Sequence, residues 1–222
     1  MRKMSSIIDQ NLRRKGSRTT TSIKGHLPLI TISREKGSGG RPIAYLVASK
    51  LGKLWNVYHN DILQEIARNS DLETWMAEEI DERVLPLMEE IIADLFGKRY
   101  LNMGSYHREL LSILTRIGSR GNAVVVGRGA NFIFKDALKI RTIADVDQRI
   151  KWLIQFEKVT RSEAMRRVEE SDRVRSEFVT NVFHADQNDI HLYDLTIKTG
   201  EYLSIEDAAD MIVSLAKKKF RL

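Results

Sequence analysis

The stretch of this chain whose residue types most directly suggest chemistry is Gly37-Ser38-Gly39-Gly40. It follows the apolar, β-branched run Leu27 to Ser33 and precedes Ile43, Leu46, Val47 and Leu51 at helical spacing. A glycine-rich turn between a strand and a helix can bring backbone N–H groups close to an anion, and the positive end of the helix dipole adds to the attraction. Lys36, Arg34 and Arg41 flank the turn, and Arg128 follows a later strand. Arginine is an effective bidentate ligand for phosphate. The candidate phosphate cradle is therefore Lys36, Gly37, Ser38, Gly39, Gly40 and Arg41. Neither common fingerprint is complete. Pro42 stands where the third glycine of a dinucleotide loop belongs; against G-x-x-x-x-G-K-[ST], Gly40 is read at the lysine position and Pro42 at the hydroxyl position. A tight turn without a ligand is the plainer alternative.

Other constellations have simpler readings. His184, Asp186, Asp189 and His191 contain no i,i+4 histidine pair and are read as a polar loop, so no metal ligands are assigned. Ser38 has no base near it in sequence, so a hydrolase triad has no support. Arg161, Arg166, Arg167, Arg173 and Arg175 alternate with Glu163, Glu169, Glu170 and Asp172, the pattern of a solvated helix with i,i+4 pairs. Arg149 is read as a surface residue, and Trp55, Trp75 and Trp152 as packing residues.

Five short apolar runs read as strands: 27–33, 56–59, 122–126, 139–144 and 193–198. Between them lie helical patterns. The first follows Pro42 and stops at Gly52; the second covers about 60–69. A long helical stretch, 71–120, is broken near Pro86, Gly97 and Gly104 and carries Leu110, Leu111, Leu114 and Ile117 on one face. Further helices cover about 146–157 after Asp145 and 160–181 (one helix or two), and a last one follows Ser204. Strands alternating with helices predict an α/β domain around a parallel sheet. With 222 residues, 42% hydrophobic and 30% charged, the chain has ordinary globular composition. It has no cysteine, which excludes disulfides and thiol catalysis and fits a cytoplasmic setting. No apolar run approaches the ~20 residues of a membrane span. The formal charge of +6 resides in residues 1–26, where seven basic side chains face Asp9 alone. No aromatic residue interleaves those charges. They are read as a solubilising, flexible tail rather than a nucleic-acid arm.

The residues Ile32 to Arg41, ISREKGSGGR, resemble the opening signature of the cytidylate kinase-like family of P-loop proteins. Val124 to Asn131 is similar to that family's third-strand motif, Asp172 to Arg175 to its lid motif, and Tyr193 to Thr199 to its last strand. The resemblance covers about residues 28–215. It implies a P-loop three-layer α/β fold with a five-stranded parallel sheet, helices on both faces, a helical insert, and a helical lid at about 158–190. The implied domain is 27–222, preceded by the tail.

The implied activity is ATP- and Mg2+-dependent phosphoryl transfer to a nucleoside monophosphate, CMP or dCMP by the family's example. Carried over residue by residue, Gly37 to Arg41 would wrap the donor phosphates. Arg128 would hold the acceptor, with Asp61 and Asn131 as further acceptor residues. Asp172 and Arg175 would act from the lid, Arg175 toward the transferring group. The chain departs from the pattern at Gly40, at Pro42, at Val126, and at Gly129, which stands where the family has aspartate. Arg41 is the expected replacement for the missing lysine, with catalytic Arg41, Arg128, Asp172 and Arg175 as the resulting set. Two rivals remain open: a nucleotide-binding regulatory module without transfer activity, and an interaction protein using the tail and the 71–120 insert.

Overall fold

The computed structural model describes residues 27–59 and 105–222. Asp61, Trp75, the 1–26 tail, the 60–69 helix and most of the 71–120 stretch lie outside the described residues. Five strands, β1 (Leu29–Arg34), β2 (Asn56–Tyr58), β3 (Ala123–Val126), β4 (Leu138–Ile143) and β5 (Leu195–Lys198), form one sheet in the order β2-β3-β1-β4-β5. Every pairing is parallel, with Ile32 opposite Val126 on one side and Ile140 on the other. Parallel neighbours require crossovers, supplied here by helices. These are α1 (Gly40–Leu51), α2 (Ser105–Arg120), the short α3 (Ala130–Ile133), α4 (Val146–Glu157), α5 (Arg161–Phe183) and α6 (Ile205–Phe220).

Alternation along the strands divides the sheet into two chemically different faces. Ile30, Ile32, Val124, Val126, Leu138 and Ile140 pack against Ile43, Ala44 and Val47 of α1 and Ala208, Ala209 and Ile212 of α6. The alanines let the helices lie close to the sheet. Residues of opposite parity include Thr31 and Arg141, both buried, and Ser33. That face becomes polar toward the strands' carboxyl ends. From α2, Ile113, Leu114 and Ile117 are buried. A separate cluster of Ile150, Leu153, Ala164 and Val168 joins α4 to α5.

Local chemistry explains where the element boundaries differ from the sequence reading. The 160–181 region is one helix of 23 residues, started by the Thr160 hydroxyl accepting from Glu163 N. Ser204 caps α6 in a reciprocal box with Asp207. Asp145 makes no capping bond; its carboxylate lies 2.8 Å from Lys198 Nζ instead. β5 begins at Leu195 rather than Tyr193, because Ile190–Leu192 form a 3-10 turn capped by Asp189. Asp186 similarly accepts from Asn188 N. Among the described residues, no helix is long and apolar enough to cross a membrane.

Candidate functional site

The strand order reverses around β1, and the loops after β1, β3 and β4 meet at the carboxyl end of the sheet. Such a crevice is the usual ligand position in open α/β sheets. The loop after β1 runs from Glu35 to Gly39, the N-cap of α1. In the first turn of a helix, the leading N–H groups have no carbonyl four residues back. Gly40 and Arg41 open that turn, and Pro42 in the third position has no N–H to leave unmatched. The loop lines a cavity of about 670 Å³ with Trp152, Phe156 and Ile205. That size falls among small-molecule sites.

The loop side chains are held by fixed partners. Ser38 is buried; its hydroxyl lies 3.0 Å from Glu35 O, 2.9 Å from Thr142 O and 3.0 Å from Thr142 Oγ1. Thr199 Oγ1 donates to Ser38 O at 3.0 Å. Lys36 Nζ pairs with Glu157 at 2.9 Å, and Glu157 also receives Arg167 at 2.8 Å. Arg149 corrects the surface reading, since it is 2% exposed. Its Nε donates to Lys36 O at 2.7 Å, while its terminal nitrogens lie 2.6 Å from Asp172 and 3.5 Å from Glu35. The glycine loop and α5 are thus stapled through one guanidinium.

Arg34 ends β1. A Cβ built on Gly40 would lie 2.7 Å from Arg34 Cβ, 3.0 Å from its Cγ and 2.9 Å from Thr142 Oγ1. At the far end, a Cβ on Gly127 would collide with the Arg34 guanidinium. Burial first, then repulsion from Arg175, Arg128 and Arg41, lowers Arg34 to about 9. Arg175 donates to Arg34 O at 2.9 Å. Burial chiefly lowers Arg175 to about 10, against the favourable field of Asp172. Arg128 has φ 59, a left-handed conformation that costs a non-glycine residue about 1 kcal/mol. Gly129 is closed to any side chain, because a Cβ there would meet the Phe183 ring. That ring stacks on Phe132 at 4.4 Å.

A second cavity, about 50 Å³, lies under α5 and is lined by Ser33, Arg34, Arg128, Asn131, Arg141 and Arg175 together with uncharged residues. Among the described residues, no carboxylate lines it. Asn131 is buried; its Oδ1 accepts from Ser33 Oγ at 3.3 Å, and its Nδ2 has no partner. Arg141, 6% exposed, reaches Asn188 Oδ1 at 2.9 Å and lies over the Tyr193 ring at 5.6 Å. The volume exceeds what one water needs several-fold.

The expected residues are distributed as follows. Arg128, Asn131 and Arg175 share the small cavity. Lys36, Gly37, Gly39, Gly40 and Arg41 line the large one, with Ser38 buried beneath it. Asp172 joins them through Arg149. Arg41 Nη2 lies 2.9 Å from His59 Nε2, which also receives Tyr45 Oη at 2.9 Å. Arg34 and Arg175 alone, among the described residues, line both cavities. Counted strictly, G-x-x-x-x-G-K-[ST] places Arg34 at the first glycine, Gly40 at the lysine and Arg41 at the hydroxyl; the reading of Pro42 there was one residue too far. The site set read from sequence lacks Arg34, Arg141 and Arg149. For Arg141 the available signal was an arginine within an otherwise mostly apolar strand.

The profile of the cytidylate kinase-like family matches residues 29–201. A cytidylate kinase of Pyrococcus horikoshii is 27% identical over 175 residues, 78% of this chain and 81% of that protein. Among solved structures, an uncharacterized protein from Eubacterium ventriosum has a TM-score of 0.65 at 21% identity, covering 86% of this chain and 99% of that one. A shikimate kinase from Acinetobacter baumannii has a TM-score of 0.47 at 14% identity, covering 86% and 94%. The match spans the glycine loop, the arginine-bearing turn after β3 and α5; the chain belongs to the cytidylate kinase-like family.

Proposed function

We propose that this protein transfers the terminal phosphoryl group of ATP to a nucleoside monophosphate, with CMP or dCMP as acceptor. The observation that carries the reading is the meeting of two cavities at Arg34 and Arg175. The larger has a helix N-terminus and glycine loop for donor phosphates, with Trp152, Phe156 and Ile205 as an apolar wall for a base. The smaller is lined by guanidiniums and, among the described residues, by no carboxylate, which suits an acceptor phosphate. Family membership and the 27% identical cytidylate kinase support a nucleotide kinase role.

In this mechanism the chain's work is positioning and charge stabilisation. The Gly40 and Arg41 amides hold donor phosphate oxygens. Arg128 and Asn131 orient the acceptor, whose phosphate is already an anionic nucleophile and needs no general base. Arg175, carried by the lid, approaches the transferring group. Of the acidic groups lining the donor cavity, Glu35 accepts from Ala144 N and faces Arg149, and Glu157 is paired with Lys36 and Arg167. The donor set therefore suits a magnesium ion held by phosphates and water. Such an ion would supply neutralisation of the charge on the donor's terminal phosphates.

The test is ADP formation from ATP and magnesium across a panel of nucleoside monophosphates, with Arg128→Ala alongside. Turnover with a cytidine acceptor, reduced at least ~100-fold in the variant, is expected. ATP binding without acceptor-dependent ADP would refute the transfer reading and favour the regulatory module.

A further inference from the structure

We propose that Arg34 supplies the phosphate-loop cation, and that residue 40 is glycine so that Arg34 can occupy the space a lysine stem would need. This rests on the larger cavity being the donor site. In G-x-x-x-x-G-K-[ST] the first position is glycine and the seventh lysine. Here the two are exchanged, Arg34 at the first and Gly40 at the seventh.

The exchange is visible as a steric fact. The Arg34 stem lies over Gly40, where any Cβ would sit 2.7 Å from Arg34 Cβ, well inside van der Waals contact. The guanidinium continues to Gly127, whose own Cβ would overlap it. Two glycines, 87 residues apart in sequence (40 and 127), bracket one side chain. The exchange also has an electrostatic signature. Every charge that acts appreciably on Arg34 is another guanidinium, and among the described residues no carboxylate offsets its burial. A buried cation held only among cations is costly unless an anion completes the site. Position then specifies the anion. Arg34 lines both cavities, with its stem over Gly40 of the larger and its guanidinium beside Gly127 of the smaller, so a phosphoryl group passing between them would meet this side chain. Arg175 also lines both, but it is anchored to the Arg34 carbonyl from the lid helix. Arg41 reaches His59 and lines the donor cavity but not the smaller one.

The experiment measures turnover and ATP affinity of Arg34→Ala, Gly40→Lys, the exchanged pair Arg34→Gly/Gly40→Lys, and Arg41→Ala, each checked for folding by circular dichroism. Arg34→Ala should lose about 100- to 1,000-fold in kcat, the effect of removing one preorganised electrostatic donor. Gly40→Lys should lose at least as much, although it restores the usual lysine. The exchanged pair should recover at least ~10-fold over the worse single variant, since lysine can then use the space that Arg34 vacates. Guanidine added below denaturing concentrations should partly restore Arg34→Ala, which a purely structural role would not allow.

Arg34→Ala within about threefold of wild type, or Arg41→Ala showing the larger loss, would overturn the proposal. So would a folded exchanged pair no better than its worse parent. If no acceptor supports turnover in the wild type, ATP affinity decides instead. A loss of ~10-fold or more in Arg34→Ala then upholds Arg34 as the loop cation while the transfer reading falls, and an unchanged affinity overturns Arg34.

Discussion

Arg149 offers the sharpest test of how loop and lid are joined. Its side chain is 3% exposed yet touches three groups: Lys36 O at 2.7 Å, Asp172 at 2.6 Å and Glu35 at 3.5 Å. Arg149→Met keeps the length and apolar stem and removes the charge. Breaking a fully buried pair by deleting one partner costs about 3–5 kcal/mol. Here the surviving carboxylates retain some water, since the Glu35 and Asp172 side chains are 24% and 39% exposed. Discounting for that screening gives about 2–3 kcal/mol. For a chain of this size, that is a fall in Tm of roughly 4–12 °C. Denaturant unfolding measures the loss. A cycle with Asp172→Asn isolates the pair, for which a coupling of about 1 kcal/mol or more is expected. The KM for ATP should rise as well, because the Lys36 carbonyl loses its anchor. A change below about 0.5 kcal/mol, with no coupling, would refute the reasoning.

Four further outcomes follow from the same structure. Ser38→Ala should cost about 1–2 kcal/mol of stability, from buried hydrogen bonds to Thr142 and Glu35, yet leave ATP affinity within about twofold; a large affinity loss would place the hydroxyl on phosphate. Asn131→Asp puts a carboxylate in the arginine-lined cavity, so it should raise stability by about 1–2 kcal/mol while impairing acceptor binding; an unchanged or lower Tm would mean those cations are already compensated. Burial would raise Asp194, but the Lys139 amide and then the Lys219 ammonium outweigh it and hold its carboxyl below the usual range. Its contribution should be fully present above pH ~4 and lost as pH falls through the depressed native value, so Asp194→Asn should cost about 1 kcal/mol at pH 7 and nothing at pH 2 in urea titrations. Gly129→Ala should lower Tm by crowding Phe183 off Phe132, by about 1–3 kcal/mol, and a neutral result would mean the lid's aromatic contact is dispensable.

The fold was legible because its signals are local. Five β-branched runs, Gly52 after α1 and Ser204 before α6 each mark an element by propensity or capping. The strand-to-helix turn at Gly37 to Gly40 was legible because closely spaced glycines between an apolar run and a helical pattern mark such a turn. What periodicity could not reveal is which side of the sheet an arginine enters. Arg141 alternates with apolar neighbours as an exposed residue would, and Arg149 sits on a helix with ordinary surface spacing. Both are buried because loops distant in sequence, 187–193 and 34–37, cover them with neutral or acidic partners. Arg34 was noticed as a nearby cation, but its relation to Gly40 is a contact between positions six apart across a turn (34 and 40), and only the folded loop brings them together.

Phosphoryl transfer between the two cavities is tested most directly by phosphorus NMR of the full chain with ATP, magnesium and CMP. The expected spectrum shows ADP and CDP rising together, one for one, as ATP and CMP disappear. ATP consumed without CDP, or ATP left intact beside every nucleoside monophosphate supplied, would contradict it.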